Sequence, residues 1–282
     1  MMKLAVMTWV YNKVPFERAL EGIAKAGYKY VSFGLPHEGM PSFDDSQPGE
    51  AARVLELLAQ YGLKPVTLVS TDALSPKQSI ERSIQRLDFA KELGVEEVLS
   101  LGTSSYNKFP SEPRSDEEMK ELNDAFAAKY RLVGEEAAKR SLIVTIKPHT
   151  GNTAAAQELN DTIAYIGSSS VKASYDPGNV RFYEGIDPAA DLPGIASEVV
   201  SIIAKDHRGD RAEIDFPIPG EGDVDFTSVF TTLKQANFNG PVVIERLDDR
   251  GESFTADELD ERIAQARQNL LKIFAEIGVE SE

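Results

Sequence analysis

Eight short runs rich in branched and aromatic residues recur along the chain, and each is followed by a longer stretch with the apolar spacing of an amphipathic helix. The runs cover 4–8, 30–34, 65–69, 97–101, 143–147, 172–175, 199–205 and 241–245. The helical stretches cover 16–26, 51–61, 76–93, 116–141, 152–166, 188–198, 226–237 and 255–277. Three of the junctions, AKAGYKY, AQYGLKP and KELGVEE, place a glycine where a helix stops and the next strand begins. Strands that alternate with helices give βαβ units and a parallel sheet. Eight such units favour the closed α/β architecture, a single (β/α)8 TIM barrel spanning 1–282, over an open doubly wound sheet. Neither GxGxxG after the first strand nor a P-loop is found, which removes the common nucleotide-binding architectures. The one soft segment is 103–116, TSSYNKFPSEPRSD, which reads as a long loop after strand four and is positioned to act as a lid.

Composition narrows the partners. The net charge of −16 opposes binding to a phosphate backbone, so no nucleic-acid partner is expected, and no apolar run approaches the roughly 20 residues of a membrane span. With no cysteine there are no disulfides, thiolate metal sites or cysteine nucleophiles. The first residues, MMKLAVMTWVYNKV, read as a strand and not as a signal peptide, so the expected location is the cytoplasm.

In a barrel of this kind the reacting groups sit at the C-terminal ends of the strands. The three histidines, His37, His149 and His207, all fall at or just after the ends of strands two, five and seven. In VTIKPHTG the strand alternation puts Lys147 and His149 on one face. SYDPGN brings Asp176 to the end of strand six, and VVIERLD brings Glu245 to the end of strand eight. In IIAKDHRG, Ile203, Lys205 and His207 share a face if strand seven runs that far. Charged groups at the ends of apolar strands are costly to bury unless paired, metal-bound or reactive. The structural alternatives are that Asp176 bonds loop amides and that Glu245 pairs with Arg246 or Arg181.

These segments, together with PGEGDVDFTSVFTTLKQANFNGPVVIE, resemble the xylose isomerase-like TIM barrel superfamily of sugar isomerases, epimerases and inosose dehydratase-like enzymes. The resemblance covers essentially the whole chain, and the PGEGDVDF segment is its most specific part. It implies a Mg or Mn ion held by a Glu on strand five, an Asp on strand six, a His on strand seven and a Glu on strand eight. Asp176 and Glu245 match, and would be the metal ligands if a metal binds. The strand-five Glu is replaced by Lys147 and the strand-seven His by Ile203. Two carboxylates and Lys147 sum to −1, the charge of three carboxylates plus a divalent ion. The expectation is therefore that no cofactor binds and that Lys147 stands in the metal's place. The rescue is that His207 completes a Mg or Mn site, which requires a bulged strand seven.

The resemblance implies a small-molecule sugar or polyol substrate and, since barrels of the family often pair, a homodimer. The leading expectation is a sugar, keto-sugar or polyol isomerase or epimerase. Lys147 would polarise the carbonyl, Glu245 and His149 would move the proton, Asp176 would complete the catalytic cluster, and Trp9, His37, Lys205 and His207 would contact substrate. Phe33 with Trp9 would form an apolar wall against a sugar face, unless both are ordinary barrel packing. The alternatives are a lyase or dehydratase acting on a sugar or inositol derivative, and a non-catalytic sugar-binding barrel. A Schiff base on Lys147 is disfavoured, because Asp176 and Glu245 nearby would keep the amine protonated.

Overall fold

In the computed structural model, which describes residues 1–281, the eight runs form one closed parallel barrel. The strands are β1 (Lys3–Met7), β2 (Tyr30–Phe33), β3 (Lys64–Val69), β4 (Glu97–Leu101), β5 (Ile143–Lys147), β6 (Val171–Tyr175), β7 (Val199–Ile203) and β8 (Pro241–Ile244). They pair in chain order, and β8 closes onto β1 with Val242, Val243 and Ile244 opposite Leu4, Ala5 and Val6. Around them lie α1 (Phe16–Lys25), α2 (Glu50–Gln60), α3 (Ile80–Glu92), α4 (Asp116–Lys139), α5 (Ala156–Ile166), α6 (Pro188–Asp191), α7 (Phe226–Gln235) and α8 (Ala256–Ile277). The long helices α4 and α8 both start on capping boxes, Ser115 with Glu118 and Thr255 with Glu258. Among the described residues no helix is long and apolar enough to cross a membrane.

The strand alternation builds two apolar layers. Val6, Val31, Leu68, Val98, Ile146, Ile202 and Ile244 face outward into the core shared with the helices. Ala5, Met7, Val69, Leu99, Ile203 and Val243 face the barrel interior. A one-residue slip of any strand would exchange the two sets, so burial fixes the register. Deep in the interior Glu97 accepts hydrogen bonds from Thr67, Thr145 and Ser201 at 2.9, 2.6 and 2.5 Å.

Some boundaries differ from expectation. The helix expected over 188–198 breaks into α6 and two 3-10 turns, Leu192–Gly194 and Ala196–Glu198, because Pro193 has no N–H to donate to a continuing helix. Helix α3 begins at Ile80 because the Ser79 side chain accepts the Arg82 amide and caps it there. Helix α5 starts only at Ala156, after a 3-10 turn at Gly151–Thr153. Strand β7 ends at Ile203 and not at Lys205: the Lys205 amide turns back onto the Ile203 carbonyl at 2.9 Å, which closes the ladder. Alternation therefore does not extend to Lys205 and His207.

The loop after β4 folds into a small hairpin, Tyr106–Lys108 paired with Glu112–Pro113. Phe109 at its tip packs on Tyr183 and Phe182, with ring centroids 4.9 and 5.5 Å away. Arg211 stacks on Phe109 and donates to the Tyr106 hydroxyl and the Tyr183 carbonyl. The hairpin is thus fastened behind Tyr183, one of the residues that face the barrel mouth.

Candidate active site

At the C-terminal mouth lies a cavity of about 630 Å³, and its floor carries a compact charged cluster. The Lys147 ammonium, 4% exposed at the last position of β5, donates to Asp176 Oδ2 at 2.9 Å and to both Glu245 oxygens at 2.9 and 2.7 Å. Lys205 comes from just beyond β7 and donates to the same Asp176 oxygen and to Asn179 Oδ1, each at 2.9 Å. It also pairs with Glu245 Oε2 at 2.5 Å. An ammonium has three donors, and each lysine has three acceptor atoms within the cluster, Lys147 on two residues and Lys205 on three. The group is electrically neutral, two cations with two carboxylates. This corrects the sequence count of −1, which omitted Lys205.

Local sequence explains how Lys205 reaches so far inward. Asp176 caps the turn that follows β6, its Oδ1 accepting the Asn179 amide at 2.9 Å, while Asn179 Nδ2 donates to the Pro148 carbonyl at 2.7 Å. Gly178 lies against Lys205: a Cβ there would stand 2.7 Å from both the Lys205 Cγ and its carbonyl oxygen. DPGN therefore supplies a carboxylate, a bare backbone for the lysine stem and an amide oxygen for its tip. Sequence reasoning misses Asn179 as a site residue, although the Asp-x-x-Asn capping spacing is the signal that marks it.

The electrostatics follow from burial and pairing. Burial disfavours the Lys147 ammonium, but Asp176 and then Glu245 outweigh it and hold its pKa above the usual lysine range. Burial disfavours the Glu245 carboxylate as well, yet Lys147 and Lys205 outweigh it and keep Glu245 well below the usual carboxylate range. His149 lines the cavity with its ring 4.1 Å from that of Tyr183. Burial and then the two ammoniums push its pKa down to about 4, so it is a neutral imidazole at pH 7. The alternative partners expected for Glu245 are engaged elsewhere: Arg246 grips Asp248 at 2.6 and 2.9 Å, and Arg181 lies 3.5 Å from Asp223.

The structure brings Lys147, Asp176, Glu245, Lys205 and His149 together and places Trp9 on the cavity wall. The other two histidines do not reach the cavity. His37 bonds the Val14 carbonyl and Thr8 Oγ1, each at 3.0 Å, beside Phe16. His207 is fully buried, bonds the Glu213 carbonyl at 2.7 Å and sits between Phe182 and Phe216. Phe33 points outward into the helix-facing core against Phe16 and Phe43, not toward the cavity. Between β7 and α7, Asp206 is fully buried and accepts the amides of His207, Gly220, Gly222 and Val224 at 2.8 to 3.1 Å. A Cβ on Gly222 would lie 2.3 Å from its Oδ1. PGEGDV is thus a backbone wrapping around one carboxylate.

The donor set does not fit the divalent ion that the resemblance implies. The oxygens of Asp176 and Glu245 that would face it are held by ammonium groups, and Ile203 belongs to the apolar interior. A divalent ion needs several oxygen or nitrogen ligands at roughly 2.0–2.6 Å, and among the described residues no group of three or more His, Asp or Glu is placed to supply them.

A parallel eight-stranded barrel with its ionisable cluster on the floor of the C-terminal mouth carries its candidate site where TIM-barrel enzymes generally carry theirs. The xylose isomerase-like TIM barrel model matches residues 20–273, and the chain belongs to that family. Among its relatives, the rhizopine catabolism protein MocC of Rhizobium meliloti is 24% identical, over 86% of this chain and 81% of that protein. Inosose dehydratase of Geobacillus kaustophilus is 22% identical, over 86% and 85%. Of solved structures, D-allulose 3-epimerase from Methylomonas sp. in complex with D-allulose superposes with a TM-score of 0.73 at 19% identity, covering 96% of each chain. A xylose isomerase domain protein from Alicyclobacillus acidocaldarius gives 0.72 at 19% identity, covering 99% and 100%.

Proposed function

We propose that this protein acts on a sugar, keto-sugar or polyol by moving a proton next to a carbonyl, with two ammonium groups in place of a divalent metal. The observation that carries this reading is the position of Lys147 and Lys205 on the oxygens of Asp176 and Glu245 at the cavity floor. Relatives that carry names of inosose dehydratase and L-ribulose 3-epimerase support the substrate class.

The chemistry follows from the closed shell of hydrogen bonds. Every donor of the two ammoniums is engaged, so a substrate oxygen enters by displacing Glu245, the cluster member with the most exposure. Displacement does two things at once. It frees Lys147 and Lys205 to hold the carbonyl and neighbouring hydroxyl oxygens, where fixed positive charge stabilises an enediolate. It also removes Glu245 from the charges that depress its pKa, which makes it a stronger base where the C–H acid arrives. The proton leaves carbon for Glu245 while the electron pair moves to the carbonyl oxygen held by the lysines. In this reading neutral His149, which lines the cavity, carries a proton between the two oxygens. Return of the proton to the neighbouring carbon completes isomerisation; departure of a β-hydroxyl as water, taking with it the proton held by Glu245 as the carbonyl reforms, gives dehydration. Lys147 remains an ammonium and forms no Schiff base.

The same closed shell favours a second reading, a binding barrel without turnover. Incubation with ketoses and inososes in D2O separates the two. Deuterium entering at the carbon next to the carbonyl, insensitive to EDTA and lost in Glu245→Gln, is the expected result. Binding without deuterium entry would leave the binding barrel; exchange that EDTA abolishes would overturn the ammonium reading.

A further inference from the structure

The cavity is divided. Its β5–β8 side carries Lys147, Lys205 and Glu245, with Asp176 beneath. From the ends of β2 to β4 the cavity presents Leu35, Val69, Leu99 and Leu101, with Thr71 the only polar side chain there among the described residues, while the loop after β1 adds Trp9 together with Asn12 and Lys13. The boundary is sharp. Leu101 and Lys147 are register partners on adjacent strands, so the leucine-rich wall and the charged cluster meet along one ladder. Below the wall the apolar surface continues into the interior through Leu99, Val69 and Ile203.

A substrate with hydroxyls on every carbon does not match such a cavity. Its oxygens against the Leu35, Val69, Leu99 and Leu101 wall would leave water for side chains that neither donate nor accept, and an unpaired buried hydroxyl is costly. We propose that the substrate is amphipathic: an oxygenated end bound by the lysine–carboxylate cluster and an apolar end, such as an alkyl or aryl aglycone or a deoxygenated tail, packed on the Leu35, Val69, Leu99 and Leu101 wall. This rests on the sugar or polyol reading above for the oxygenated end, and adds the second end.

Trp9 is the only tryptophan in the chain and lines the cavity, so its emission reports occupancy directly. The test is a fluorescence titration of the whole protein with D-glucose, methyl β-D-glucopyranoside and n-butyl β-D-glucopyranoside. The expected order is butyl, then methyl, then glucose, with butyl at least about tenfold tighter than glucose, as burial of a few methylenes predicts. Leu99→Asn and Leu101→Asn should each shrink the butyl-to-glucose ratio. Equal affinities, a weaker butyl glucoside, or no binding of any of the three overturns the proposal. So does a butyl preference that survives both substitutions. Should the variants fail to fold, the order on the unsubstituted protein still decides. Deuterium exchange is a separate readout: its absence with the affinity order intact removes catalysis and leaves the substrate class standing.

Discussion

Replacing Lys147 by methionine keeps most of the side-chain volume and removes the ammonium. That ammonium stands 2.9 Å from Asp176 and 2.7 Å from Glu245. At an effective dielectric of about 20, each unit-charge pair at that range is worth about 6 kcal/mol, or about 12 kcal/mol together. Against this stands the desolvation of a nearly sealed ammonium, which returns several kcal/mol when it is deleted. Lys205 stays behind and screens part of what remains. The expected net loss is about 3–5 kcal/mol, the range for breaking a buried ion pair. The assay is urea unfolding at pH 7 and again near pH 4.5. Because Lys147 is the main charge holding Glu245 ionised, its removal raises the Glu245 pKa. In the parent protein a depressed carboxylate contributes stability that is lost as pH falls; in the variant less is lost. The gap between the two proteins should therefore narrow toward pH 4.5. A variant within about 1 kcal/mol of the parent at pH 7, well below that range, or a gap that widens in acid, would refute the cluster as described.

His149, with a folded pKa of about 4 against an ordinary 6.5, is held neutral by the fold. As pH falls from 6.5 toward 4 the unfolded chain takes up that proton first, so stability should drop by up to about 3 kcal/mol from this group. His149→Gln should remove that slope from a pH series of melting curves, and an unchanged slope would contradict it. Gly178→Ala should cost about 1–3 kcal/mol by overpacking while displacing Lys205, so deuterium exchange should fall much further than the melting temperature. A variant with full exchange would show that Lys205 is not needed where it sits. Melting temperatures should not respond to Mn²⁺, Mg²⁺ or EDTA; a stabilising ion would show that Asp176 and Glu245 release their lysines for a metal.

The architecture was legible because strand and helix periods differ and each junction carried its own punctuation. The glycines read as helix stops, Gly27, Gly62 and Gly94, all have positive φ. Where boundaries moved, one local rule overrode the period: Pro193 inside an apolar helical pattern, Ser79 as a cap, and the tight turn at Ala204. The site was legible in part. Lys147, Asp176 and Glu245 stand at strand ends, so their convergence follows from topology alone. The role of Lys205 in balancing the charge was not readable, because its reach depends on that turn and on the missing side chain at Gly178. Three histidines near one rim pointed to chemistry, yet two of them satisfy local backbone groups. Position along a strand says which rim a residue occupies and not which way its ring turns beyond the strand's end.

The stretch between β7 and α7 contains no helix and no strand of the barrel. Its shape is set instead by amides converging on the Asp206 carboxylate, as carbonyls converge on a bound calcium ion but with the polarity reversed. A segment templated by an internal anion is specified through its backbone. Val224 is required there for an N–H, and Gly222 for an N–H together with the hydrogen that takes the place of a Cβ. The part of the sequence easiest to recognise is thus one whose side chains do little, while the cavity beside it is free to change its walls without disturbing the knot that holds the rim.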